Sequence, residues 1–177
     1  SPAFLLDHPG EDGPVKAVAQ GSKTGWIFVH DRRDGRLLAR SRPLITQKNL
    51  FAPPTPEGTV VSPGPLGAIS WHPVAYDAAR GLAFAQVRHG AATYTVKTLP
   101  GAEGRPPIRY TETGEARAEP SFSTLTAVDL AEGGGIAWTV KAGSRLSGGT
   151  LATAGGLVLS GEEDGHLDAH DAETGQM

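Results

Sequence analysis

Ala169-His170-Asp171-Ala172-Glu173-Thr174-Gly175 closes the sequence, and Val29-His30-Asp31-Arg32-Arg33-Asp34-Gly35 stands near its start. Between them lies Ala127-Val128-Asp129-Leu130, followed by Gly133-Gly134-Gly135 and then Trp138. The shared pattern is small-x-Asp, then Gly, then an apolar or Trp position. From Ala127 to Ala169 is 42 residues, and from Val29 to Ala127 is 98, a little over two such periods. A period of about 40 to 50 residues is that of one four-stranded propeller blade. A degenerate copy sits at Ala75-x-Asp77 with Gly81, where a strand follows the Gly directly. In each copy the Asp can accept backbone N–H bonds in the turn that the Gly closes. The Trp can pack between blades and use its indole N–H.

The surrounding sequence has the texture of strands and turns. Trp26-Ile27-Phe28-Val29, Leu82-Ala83-Phe84-Ala85, Tyr94-Thr95-Val96 and Leu157-Val158-Leu159 read as short strands, and helical periodicity is nearly absent. Asp34-Gly35, Arg80-Gly81, Asp164-Gly165 and Thr174-Gly175 are turn signals, since Gly accepts positive φ without steric cost. Residues 41–66 and 99–121 are rich in proline (Pro53, Pro54, Pro56, Pro63 and Pro65; Pro100, Pro106, Pro107 and Pro120) and read as long loops. The expected fold is all-β: an incomplete β-propeller of about four blades, each a four-stranded antiparallel sheet, occupying residues 1–177. Both ends read as cut edges of something longer, the start lacking Met and the finish falling within a motif.

Composition narrows the functional classes. The net charge of -3 and the pI near 6.0 offer no basic patch of the kind nucleic acid or an anionic membrane demands, so no nucleic-acid partner is expected. Arg32, Arg33, Arg36 and Arg40 fall on a turn and the strand after it, a solvated face. There is no cysteine, hence no disulfide, thiolate metal site or Cys nucleophile. No run approaches the 18 or so apolar residues of a spanning helix, and no signal peptide is visible. The six histidines are dispersed, and no Gly-x-Ser-x-Gly elbow or phosphate-binding loop occurs. Glu162, Glu163 and Asp164 form an acidic turn that reads as solvated, with weak attraction for Ca2+.

The run GGTLATAGGLVLSGEEDGHLDAHDAETG, Gly148 to Gly175, resembles the quinoprotein (pyrroloquinoline quinone-dependent) alcohol dehydrogenases. Gly148, Gly149, Leu151, Thr153, Gly155, Gly156, Leu157, Val158, Gly161, Gly165, Ala169, Asp171, Thr174 and Gly175 match that family's pattern. Two further segments match in the same order. Lys23-Thr24-Gly25-Trp26-Ile27-Phe28-Val29-His30-Asp31-Arg32 resembles its Lys-x-Gly strand ending in Asp-Arg, and Trp71-His72-Pro73-Val74-Ala75-Tyr76-Asp77 resembles its Asn-Trp-x-Pro-x-Ala-Tyr segment. The resemblance runs from about residue 13 to 177 and is weak over 41–65 and 90–120. It implies the C-terminal part of the family's propeller.

By that resemblance the chain is part of a periplasmic oxidoreductase that uses pyrroloquinoline quinone and Ca2+ to oxidise an alcohol, polyol or sugar. Its electrons pass to an acceptor such as a cytochrome c or a membrane quinone, and its partners include the rest of its own propeller. The cofactor-binding candidates are Lys23, Ser70, Trp71 and Leu146. Lys23 matches the cation that faces the quinone oxygens, where a positive charge stabilises the charge that grows on reduction. Ser70 replaces the family's Asn and lacks the amide that both donates and accepts. Leu146 and Ser147 replace its Trp-Asn, so the aromatic face over the cofactor is lost. The family's catalytic Asp, Ca2+ ligands, cysteine pair and aromatic floor lie in its N-terminal half. No catalytic or metal-ligating residue is therefore expected here, and the isolated chain is expected to be inactive. The alternative is a non-catalytic propeller, a scaffold or binding protein with quinoprotein-like repeats, which the residues at 70, 146 and 147 favour and Lys23 disfavours. The scaffold lipoprotein of outer-membrane barrel assembly is a propeller of that kind.

Overall fold

In the computed structural model of the chain, residues 1–116 and 121–177 are described. They form fourteen strands in four antiparallel sheets and, among the described residues, no helix. The first sheet is a meander of β1 (Phe4–His8), β2 (Val15–Gly21), β3 (Ile27–Asp31) and β4 (Leu37–Arg40). The second contains β6 (Ala75–Asp77), β7 (Leu82–His89), β10 (Phe122–Asp129) and β11 (Gly135–Lys141), side by side in that order. The third runs β12 (Leu146–Ala152), β13 (Leu157–Glu162) and β14 (Leu167–Asp171). These are successive propeller blades, two of four strands and one of three. The fourth sheet, β5 (Thr59–Val61), β8 (Ala92–Leu99) and β9 (Ile108–Glu115), is not a consecutive blade. β8 continues from β7 and β9 leads into β10, so this sheet is an arm prolonging the central hairpin of the second blade.

The arm corrects the expectation that 99–121 is loop throughout. Pro100, Pro106 and Pro107 flank a proline-free run whose β-prone Ile108 and Tyr110 pair with β8, from Leu99 opposite Ile108 onward. Only the tip from Pro100 to Pro107 is irregular, and the part of the expected loop at 117–120, Pro120 included, lies outside the described residues. Residues 41–66 are largely irregular, but Thr59–Val61 escapes its prolines and pairs with β8 as an edge strand.

The repeated Asp motif acts as a turn clamp in all four copies. Asp31 accepts the Arg33 N–H at 2.9 Å, and Asp77 those of Ala79 and Arg80 at 2.9 and 3.2 Å. Asp129 accepts from Ala131 and Glu132 at 2.9 and 2.8 Å, and Asp171 from Glu173 and Thr174 at 3.0 and 2.8 Å. The fourth residue after each Asp (Gly35, Gly81, Gly133 and Gly175) has positive φ. The copy at Asp77, degenerate by sequence, makes the same bonds as the others.

Two apolar clusters lie between the blades. One gathers Ala17, Ala19, Ile27 and Val29 of the first blade with Ala83, Ala85, Val87 and Val128 of the second, with Ile69 from the connection between them. The other gathers Phe84, Leu125, Ala127 and Trp138 of the second blade with Leu146, Val158 and Ala172 of the third. β7 serves both clusters. Its odd-numbered residues face the first, and Leu82 and Phe84 face the second, which explains its continuous apolar run, a pattern of strands buried on both faces. Trp138 sits between the second and third blades. Trp26 packs by its Phe28 neighbour under the Arg40 guanidinium, 4.6 Å from its ring.

Candidate functional site

A meander sends its connections alternately to two ends of the blade. One end collects the four Asp clamps. The other collects the Ser22–Gly25 turn, the 41–74 connection, the root of the arm, the Ala142–Arg145 link and the Glu162–Gly165 turn. All four cofactor candidates fall at this second end.

Lys23 sits at the tip of the β2–β3 turn. Gly25, with φ 94°, closes the turn by donating to the Ser22 carbonyl at 3.0 Å. The 64–70 loop lies along this turn: the Ala68 N–H reaches the Lys23 carbonyl at 3.1 Å and the Ile69 N–H the Ser22 carbonyl at 3.3 Å. Gly67 passes so close that a Cβ there would lie 2.5 Å from Lys23 Cγ. The Lys23 ammonium is exposed and donates to the Pro65 carbonyl at 2.9 Å. One of its three protons is thus engaged.

Ser70 is buried, whereas the Trp71 ring is 60% exposed and rests against His72 with centroids 4.9 Å apart. Burial holds the His72 imidazole below its ordinary pKa, against a bond to the Ser147 backbone that pulls the other way. His72 and Pro73 dock on the start of β12. There the pairing with β13 slips between Leu146 and Thr150, and Gly149, at φ 85°, has no room for a Cβ, which would meet Pro73 Cδ at 2.6 Å. The Gly149 N–H donates to the buried Gln86 Oε1 at 2.8 Å, and Gln86 Nε2 donates to Ser160 Oγ at 3.0 Å. Leu146 itself is buried in the second apolar cluster. The structure therefore brings Lys23 to Gly67–Ser70 and brings His72 to Ser147, while Leu146 is committed to the interior.

Sequence reasoning missed Arg88 and Arg145. Arg88 follows six buried residues of β7 and is itself half-buried, and Arg145 precedes β12. Burial, then the nearby Arg145 charge, pushes the Arg88 guanidinium below its ordinary pKa. The available signal was a cation just beyond the Leu82–Ala85 strand segment, which the structure extends to His89. In the acidic turn every carboxylate has a partner. Glu162 accepts the Gly143 and Ser144 N–H groups at 3.1 and 2.6 Å, Glu163 pairs with Arg145 at 3.4 Å, and Asp164 with His166 at 2.9 Å. Among the described residues no group of three His, Cys, Asp or Glu side chains converges to hold a metal. His30 and His170 each bond the carbonyl of their own clamp glycine, Gly35 at 2.9 Å and Gly175 at 3.0 Å.

A planar quinone needs a free cation and an open ring face. Lys23 and Trp71 fit those needs; Leu146, buried, offers no surface.

No family model matches the chain. The quinoprotein ethanol dehydrogenase of Pseudomonas aeruginosa is 29% identical over 197 residues, covering 97% of this chain and 31% of that protein. Among solved structures, the quinohemoprotein alcohol dehydrogenase ADHIIG of Pseudomonas putida superposes with a TM-score of 0.82 at 24% identity, over 99% of this chain and 30% of that one. The quinohemoprotein alcohol dehydrogenase of Comamonas testosteroni gives 0.78 at 25% identity, over 99% and 29%. The chain thus spans less than a third of the length of these relatives. In sequence and in fold it is similar to the C-terminal part of the propeller of quinoprotein and quinohemoprotein alcohol dehydrogenases.

Proposed function

We propose that this chain supplies the C-terminal blades of a pyrroloquinoline quinone-dependent dehydrogenase that oxidises an alcohol, polyol or sugar. The observation that carries the reading is an exposed ammonium, Lys23, held by a turn and a neighbouring loop within a chain similar to such enzymes over nearly all its length. When bound, the quinone would supply the two-electron acceptor for the alcohol's hydride equivalent. Lys23 holds a positive charge where negative charge grows on a quinone oxygen. Its bond to Pro65 fixes the stem and leaves the other N–H donors for that oxygen. Trp71 presents a ring face, with Ser70 buried beside it. The base that takes the alcohol proton and the Ca2+ ligands belong to blades outside this chain. On this reading the setting is periplasmic and the electron acceptor a cytochrome c or a membrane quinone; two of the similar proteins are quinohemoproteins by name.

The test is dye-linked alcohol oxidation after reconstitution with the quinone and Ca2+. Protein completed to the relatives' length turns over; the isolated 177 residues, lacking base and metal ligands, do not. A completed protein that binds no quinone sinks the enzyme reading in favour of a scaffold.

A further inference from the structure

At the same end of the blades, a cleft of about 370 Å³ opens between the root of the arm and the Ala142–Arg145 link. Its volume is that of a small-molecule site. Three cations line it, Arg88, Lys141 and Arg145, together with Ser121 and Ser123. Arg145 is partly neutralised by Glu163 at 3.4 Å. Lys141 has its ammonium 5.3 Å from the Phe122 ring centroid. That ring stacks on His89 with centroids 4.3 Å apart and planes 6° from parallel, and His89 is pinned by Thr124 at 3.0 Å. The cation is thus mounted on a rigid aromatic pair. Arg88 is half-buried, and among the described residues its guanidinium has no hydrogen-bond acceptor. The carboxylate that acts on Arg88 is that of Glu163, which is paired with Arg145.

Two guanidinium groups and an ammonium gathered at one cleft repel one another and favour an anion between them. We infer that this cleft is a binding site for a small carboxylate, seated on the Arg88 guanidinium with Lys141 and Arg145 flanking. The planar fork of arginine matches the two oxygens of a carboxylate. The Glu163 charge disfavours a doubly charged phosphate. Arg88 also borders the 64–67 loop against which Lys23 rests, so the cleft adjoins the Lys23 turn, but the inference rests on the cleft's own cations and not on the quinone reading.

The experiment titrates the protein with glycolate, and separately with inorganic phosphate, by isothermal calorimetry at low salt. Saturable glycolate binding is expected, weakened about tenfold or more in Arg88→Gln, as for loss of a charge-assisted bond, and retained in Lys23→Gln. Circular dichroism establishes that the Arg88 variant is folded; if it is not, Lys141→Gln serves, with a smaller expected loss. Absence of glycolate binding, equal binding by folded Arg88→Gln, or binding of phosphate alone would overturn the assignment. Failure of quinone binding with glycolate binding intact would count against the enzyme reading and leave this one standing.

Discussion

The indole N–H of Trp138 donates to the carbonyl of Ala172, 2.9 Å away and 34 residues further along the chain. Trp138 lies in the last strand of the second blade, and Ala172 is the residue after Asp171 in the third blade's clamp. One bond therefore ties a strand of one blade to the turn of the next. The same ring covers Gly175, where an added Cβ would meet Trp138 Cε3 at 2.7 Å.

Replacing Trp138 with Ala should cost about 3–5 kcal/mol, the usual penalty for deleting a large core aromatic. Trp138→Phe keeps much of the packing and should cost less, mainly the lost bond at about 1 kcal/mol. Gly175→Ala should also destabilise, because it combines φ of 72° with the clash on the ring. Urea denaturation of the three variants checks the order.

Gln86 bridges the second and third blades from a position only 2% exposed. Gln86→Met keeps the volume but leaves the Gly149 N–H and the Ser160 hydroxyl without this partner. A loss of about 1–3 kcal/mol is expected, measured by the same denaturation. An unchanged midpoint would show that the bridge contributes nothing.

The Asp31 carboxylate is buried, while Arg33, which grips it through Nε and Nη2, is largely exposed. The Arg33 side chain first, and its backbone N–H second, hold the Asp31 carboxyl at about 2, below its ordinary 3.8. A carboxyl depressed on folding contributes stability that is present above its unfolded pKa and lost as pH falls through its folded one. The wild type should therefore lose stability between about pH 4 and pH 2 with a component that Asp31→Asn lacks. Melting curves across that window, compared for the two proteins, decide.

Much of the architecture was legible because a blade repeats local physics. Asp171 and Gly175 have counterparts at Asp31 and Gly35, but Asp77 and Asp129 both fall in the second blade, so the copies outnumber the blades. Even Asp77, a poor match by sequence, makes the same turn bonds. The arm was not legible: the prolines around Ile108–Glu115 masked a strand that forms because β8 is there to pair with it. Within the candidate site, Lys23 was singled out by the resemblance of its Lys-x-Gly segment, and the structure puts it at the tip of the β2–β3 turn. Leu146 stood in the expected segment, yet its burial is decided by Phe84, Leu125 and Trp138 from a different blade. Arg88 escaped notice because the approach of Arg145 is a tertiary fact with no trace in local spacing.

The most direct measurement is turnover of Lys23→Ala in the protein completed to its relatives' length and reconstituted with quinone and Ca2+. The exposed Lys23 side chain contributes little to stability, under about 0.5 kcal/mol for a surface substitution, so the variant should melt with the wild type. Its alcohol oxidation should fall by on the order of a hundredfold or more, the effect of removing one fixed electrostatic stabiliser. Unchanged turnover with quinone bound would contradict the account and remove Lys23 from the site.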